Sequence, residues 1–349
     1  MKKQKNFILL IIIIIALGVA LAFTYEKYKE KIFYNKDNNE TKNTIAVEEN
    51  KKTSIFDKTN DRPIAVMIDN NIDAIPHAGL NSAYLVYEMI VEGGESRLMA
   101  LFKGVNLEKI GPVRSSRHYF LDYALENDAI YVHYGFSPKA QADIKTLGIN
   151  NINGLTDDDV FWRVKDKVSP HNAVTSTEKI LKFAKEKGYR TTSDVSSILD
   201  YELEKDEVTL DENSNSIEAN KITIPFSSSN KTSYQYNEET KKYVRYTKNK
   251  KETEWDNEEE DVAFKNIIIE FIKNEPLNDG ENKDRQTLNT LGVKDGYYIT
   301  NGKAIKIKCS KLSRSSKTEY LDEDGNRIKV NNDNTIIEIC PIDANVTFE

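Results

Sequence analysis

The sequence predicts an α+β protein with an N-terminal transmembrane helix, an α/β layered first domain and a mostly β second domain. Three observations carry this expectation. An unbroken run of 17 apolar or glycine residues, Phe7 to Phe23, follows Lys2, Lys3 and Lys5, and a helix needs about 17–25 such residues to span a bilayer. Between Arg62 and Gly188, apolar runs of strand length alternate with segments of helical period. Beyond about Glu218 the chain breaks into short β-type runs separated by turn signals such as Asn278-Asp279-Gly280 and Asp324-Gly325-Asn326.

Taken in order, residues 1–25 read as a membrane anchor or signal segment. The lysines before the run orient its start toward the cytoplasm and the bulk outside. Ala20-Leu21-Ala22 offers a cleavage site as the alternative. No cysteine lies near the end of this run, so lipid attachment through an N-terminal cysteine is not expected. Residues 26–60 are rich in lysine, asparagine and glutamate and read as a flexible stalk. The first domain spans 61–205. Pro63 to Ile68 is a continuous apolar run suited to a strand buried on both faces. Ala83 to Val91 and Leu98 to Phe102 are further strands, and a helix is expected from about Ser116. Ala129 to Tyr134 is a strand, Ser137-Pro138 opens a helix running to about Leu147, and Thr177 to Lys187 is an amphipathic helix closed by Gly188. The second domain, 215–349, holds strands near 221–225, 234–236, 243–246, 262–272, 296–308 and 336–339. The acidic stretch from Trp255 to Asp261 is expected as an exposed loop.

Formal charge is −7, with 49 basic and 56 acidic residues intermixed, and no basic stripe is present. That argues against a nucleic-acid partner. The only cysteines, Cys309 and Cys340, sit in apolar alternating stretches. They are expected as small buried hydrophobes, although an oxidising location would permit a disulfide. The four histidines lack metal-ligand spacing. No serine-nucleophile elbow, phosphate-cradling glycine loop or cysteine–histidine pair of known spacing is visible.

The chemistry concentrates in residues 93–118. Arg97, Arg114 and Arg117 fall at the edges of predicted elements, and arginine presents a planar fork for carboxylate or phosphate. Ser115 and its neighbours are expected to cap a helix whose N-terminal N–H groups add to an anion site. Glu92 stands across the turn from Arg97. His133 follows a strand, at the end where ligands bind in open α/β sheets. His171, in Pro170-His171-Asn172, sits in a loop and is a candidate ligand contact with Asn172, Arg163 is a further candidate arginine, and Asp69 ends the first strand. Asp69, Glu88 and Glu92 could hold Mg²⁺, though nothing in their spacing requires it.

These motifs together resemble the YerB-like family, membrane lipoproteins of Gram-positive bacteria of uncharacterised function. The resemblance rests on Arg62 to Asn70, Tyr87 to Gly94 with Ser96-Arg97, Gly111 to Arg117, His133 to Pro138, Phe161 to Arg163 and Pro170 to Asn172. In the second half it rests on Gly296-Tyr297-Tyr298, Thr318 to Tyr320 with Asp324-Gly325, and Thr335 to Pro341. It implies a two-domain plan and an envelope address, but no reaction. Cys309 and Ile336 stand where the family pattern has tryptophan.

The leading functional expectation is an extracytoplasmic, membrane-anchored protein that binds an anionic glycan or peptidoglycan-related ligand, without a cofactor. The alternatives are a Mg²⁺-dependent transferase or hydrolase of lipid-linked or polymeric phosphate, and a docking module for another envelope protein. One geometric expectation follows. Arg97, Arg114, Arg117 and His133 should line one cleft, with Glu92 within hydrogen-bond reach of at least one arginine.

Overall fold

A computed structural model describes residues 52–205, 207–281 and 283–349. Residues 52–349 form one compact unit. The predicted anchor, residues 1–25, and most of the predicted stalk lie outside the described residues. The last part of that stalk is not a spacer. Phe56 is buried against Tyr84, with ring centroids 5.3 Å apart, and its carbonyl accepts a hydrogen bond from Lys103 at 2.8 Å.

The expected fold class is corrected. Among the described residues the chain is mostly β, with strands over 40% of positions and helical turns over 13%. None of the helices there is long and apolar enough to cross a membrane, so the expectation of a transmembrane helix gains no support. The first half supplies β1 (Ile64–Asp69), β2 (Leu85–Ile90), β3 (Ser96–Phe102), α1 (Phe120–Glu126), β4 (Ile130–His133), α2 (Pro138–Thr146), β5 (Asn151–Asn153) and α3 (Thr177–Glu186). The second half supplies β6 (Lys221–Pro225), β7 (Lys231–Asn237), β8 (Lys242–Thr247), β9 (Asn266–Ile272), β10 (Gly292–Thr300), β11 (Lys303–Lys311), β12 (Glu319–Leu321) and β13 (Thr335–Pro341).

These strands do not sort into two separate sheets. One eleven-stranded sheet runs in the order β12-β11-β10-β9-β13-β2-β3-β1-β4-β5 (with the short strand Ile217–Glu218 beside β11), so it passes through both halves. The seam is the parallel pair β2–β13, from Leu85 opposite Thr335 to Met89 opposite Ile339. The alternation of a layered α/β domain fails because β1, β2 and β3 pair antiparallel. A tight turn at Glu92–Gly94, with Gly93 and Gly94 at φ 67° and 70°, joins β2 to β3 and leaves no room for a crossover helix. Strands β4 and β5, joined by α2, make a simple parallel crossover, and β1 and β4 also pair in parallel.

The continuous apolar runs now have a cause. Tyr87 and Glu88 are consecutive and face opposite sides of the sheet. Tyr87 donates through Oη to Glu126 of α1 at 2.7 Å, while Glu88 accepts from Thr232 of β7 at 3.0 Å. Helices therefore cover one face of this part of the sheet, and a second, six-stranded sheet built around β6–β7–β8 covers the other. A strand sandwiched this way is buried on both faces, as β2 and β13 are throughout. The expected loop from Trp255 to Asp261 is instead half of a hairpin, with Asn257–Asp261 paired to Thr253–Glu254. It is clasped to the first half, because Gly79 and Asn81 donate backbone N–H groups to Glu254 at 2.7 Å each.

A cationic cluster at the end of the large sheet

Asp69 and Arg97 are ladder partners at the last rung of the β1–β3 pair, so the register alone sets a carboxylate beside a guanidinium. The segment after Ile110 then runs past them in extended form. Arg114 donates its N–H to Met67 of β1, Tyr134 donates to the Arg114 carbonyl, and Ser116 donates to Gly135, each at 2.9 Å. Gly111 permits this path: its φ is 143°, and a Cβ there would meet the Val113 nitrogen at 2.9 Å. The helix expected from Ser116 begins at Phe120. The backbone N–H groups of Arg114 and Ser116 are spent within the fold, so a helix N-terminus contributes nothing to this site.

The three arginines converge. Arg117 pairs with Glu92 through both Nη2 and Nε, the latter at 2.8 Å, and Arg97 reaches Glu92 at 3.1 Å. Arg97 also donates to the Ser115 carbonyl at 2.7 Å, and Arg117 to the Ser116 carbonyl at 2.6 Å. Arg114 pairs with Asp69 at 3.2 Å, and the same Asp69 oxygen meets His171 Nδ1 at 2.7 Å. Arg97 and Arg117 are buried, whereas the Arg114 side chain keeps 26% of its surface exposed. Arg114 is thus the arginine that faces solvent.

The electrostatics follow from this packing. Burial alone would raise the Glu92 carboxyl, yet Arg117 and Arg97 hold it down at about 2. Burial and the neighbouring Arg117 pull Arg97 down to about 10. Lys167, absent from the expected site, is lowered to about 8 by burial, lies near enough to Asp69 to sense its charge, and donates to the Ala74 and Pro76 carbonyls at 2.7 and 3.0 Å. Three arginines face two carboxylates, so these five side chains carry formal charge +1.

Other expected residues fall elsewhere. His133 is fully buried, with Nδ1 2.8 Å from the Gly135 carbonyl and Nε2 3.1 Å from Asn151 Oδ1, and burial lowers its pKa. Both ring nitrogens are occupied, so it lines no cleft with the arginines. Arg163 donates to Asn172 at 2.6 Å and stacks over Tyr134 at 5.0 Å. Those two residues shape the small hairpin (Trp162–Arg163 with Ala173–Val174) that carries His171. The Ser115 side chain is half-buried, and its carbonyl is the group that serves the cluster. Asp69, Glu88 and Glu92 do not converge, and no group of three or more His, Cys, Asp or Glu among the described residues is arranged for a metal.

Sequence reasoning also missed a second polar cluster. Arg245, fully buried, bridges Glu88 at 2.6 Å and Glu252, while His77 spans Glu252 at 3.1 Å and the Asp69 carbonyl at 2.7 Å. The second half thereby props the strand end that presents Asp69. Nothing in the sequence announces this, because the Glu88–Arg245 and His77–Glu252 contacts span 157 and 175 positions.

Residues 51–190 match the N-terminal domain, and residues 222–337 the C-terminal domain, of a family described as protein of unknown function DUF3048. The chain belongs to this two-domain family. One YerB-like relative is YerB itself, from Bacillus subtilis (strain 168), described as a candidate lipoprotein. It is 38% identical over 142 residues, which cover 40% of this chain and 43% of that protein. The match therefore spans less than half of YerB. The crystal structure of YerB from Bacillus subtilis agrees with this fold at a TM-score of 0.73 and 27% identity, over 85% of this chain and 97% of that one. YerB-like architecture thus extends across both halves and the shared sheet.

Proposed function

We propose that this protein is a membrane-associated component of the cell envelope that binds an anionic group, carboxylate or phosphate, of a glycan or peptidoglycan-related ligand at the Arg97–Arg114–Arg117 cluster. The likeness to a candidate lipoprotein supports the address. The observation that carries the binding reading is the imbalance at the end of β1. Two carboxylates serve three arginines, and Arg114, whose partner Asp69 is shared with His171, faces solvent. A charge-assisted contact from an incoming anion would redistribute these pairs. Arg97 and Arg117 act as the fixed base of the site, and Arg114 is the group that moves onto the ligand.

Titration calorimetry of the full chain with inorganic pyrophosphate tests this reading. Binding should weaken about tenfold, or roughly 1.4 kcal/mol, in Arg114→Ala. Equal affinity in that variant would remove the cluster from the function.

A further inference from the structure

A separate groove borders the hairpin that carries His171, through Trp162. It encloses about 770 Å³ between α3, the loop at Asn106–Glu108 and the Asp159–Trp162 segment. None of the arginines that pair with Asp69 or Glu92 lines it. Its volume is that of a site for a small organic ligand, which generally occupies about 300–1,000 Å³.

Two half-exposed aromatic rings, Trp162 and Phe183, stand in this groove. Around them are the carboxylates of Glu108, Asp159, Glu178 and Glu186, against Lys179, Lys182 and Lys187, whose Nζ lies 5.0 Å from the Phe183 ring centre, which leaves one negative charge in excess. Lys179 is already engaged: its Nζ donates to the Asp159 carbonyl at 2.8 Å and lies 5.9 Å from the Trp162 ring centre. Trp162 and Arg163 are consecutive on one short strand. Arg163 turns to Tyr134 while Trp162 lines the groove, so the two side chains part to different surroundings.

We infer that this groove is a binding site for an uncharged oligosaccharide. The C–H face of a pyranose is apolar and packs on an aromatic ring, and its ring of hydroxyls donates to carboxylates and amides. Aromatic platforms bordered by acceptors supply both needs at once. The acidic excess disfavours an anionic polymer here, so the groove and the arginine cluster select different chemistry. A cationic peptide would satisfy the charge, but it would have to pass Lys179 and Lys182 on the same helix face. The inference does not rest on the arginine cluster.

Titration calorimetry of the full chain with triacetylchitotriose tests it, with pentalysine as the competing probe. Wild type should bind the trisaccharide, Trp162→Ala and Glu178→Gln should weaken it at least about tenfold, and Trp162→Phe should retain most of the affinity. Arg114→Ala should bind as wild type does, which separates this site from the anion site. No binding by wild type would overturn the inference. So would undiminished affinity in both Trp162→Ala and Glu178→Gln, or displacement of the trisaccharide by pentalysine.

Discussion

Glu88 and Glu338 sit opposite each other on the parallel strands β2 and β13, both fully buried, at the seam where the two halves join. Two carboxylates so placed cannot both be ionised cheaply. Glu88 takes the ion pair, to Arg245 at 2.6 Å, with Asn70 donating at 2.9 Å and Ser96 at 2.5 Å. Glu338 is pushed well above the ordinary carboxyl range, first by burial and then by the charge on Glu88. Glu338 therefore holds its proton more tightly than an ordinary carboxyl does. Infrared difference spectroscopy at pH 7 should show a protonated-carboxyl C=O band that Glu338→Gln abolishes. A spectrum without that band would place the charge differently.

Arg245 is the cation of this seam and has no exposure to solvent. Removing it leaves Glu88 and Glu252 buried together without a counter-charge. Arg245→Met should cost about 3–5 kcal/mol in urea unfolding. Adding Glu88→Gln and Glu252→Gln to that variant should recover much of the loss. A single-variant cost below about 1 kcal/mol, the range of an exposed pair, would show that the network is not stabilising the join.

Glu92 gives a pH signature. Its carboxyl titrates at about 2 in the fold against an ordinary 4.5, because Arg117 and Arg97 outweigh burial. A depressed acid contributes stability that is present above the unfolded value, so the contribution is full above about pH 5 and is lost as pH falls toward 2. Wild type should exceed Glu92→Gln by about 2–3 kcal/mol at pH 7, with the gap closing between about pH 5 and pH 2. Denaturant unfolding across that range measures it, and a gap independent of pH would assign Glu92 a packing role alone.

Cys309 and Cys340 are free and buried. Strands β10 and β9 separate β11 from β13, which carry them. Three inter-strand spacings put the two backbones about 14 Å apart, beyond the reach of a disulfide. Burial also raises both thiols well above their usual range. Neither should react with a thiol reagent in the folded protein, and both should react at once in denaturant.

Much of the local structure was legible. The strand at Lys221–Pro225, the capped start of α2, where Ser137 accepts from Ala140, and the start of α3 at Thr177 follow from alternation, cap chemistry and helical period; the Ser176 cap on α3, which accepts from Lys179, was not read. The arginine grouping was legible too, because Asp69, Glu92 and Arg97 all stand at strand ends. What could not be read was long-range pairing. A run buried on both faces looks the same whether its neighbour is a crossover strand or β13 from the far end of the chain. The unbroken strand 64–69 therefore suggested a layered α/β domain, whereas the Glu92–Gly94 turn folds β3 back antiparallel. His133 misled for a related reason: its place at a strand end is as expected, but Gly135 and Asn151 absorb both nitrogens.

The most direct test is retention of the full chain on isolated bacterial cell walls, measured with and without competing inorganic phosphate. Wild type should be retained, phosphate should release it, and Arg114→Ala should be held about tenfold more weakly with its unfolding transition unchanged. Retention that neither phosphate nor Arg114→Ala diminishes, measured also in a Trp162→Ala background that removes the groove's hold on glycan, would contradict an anion site at the arginine cluster.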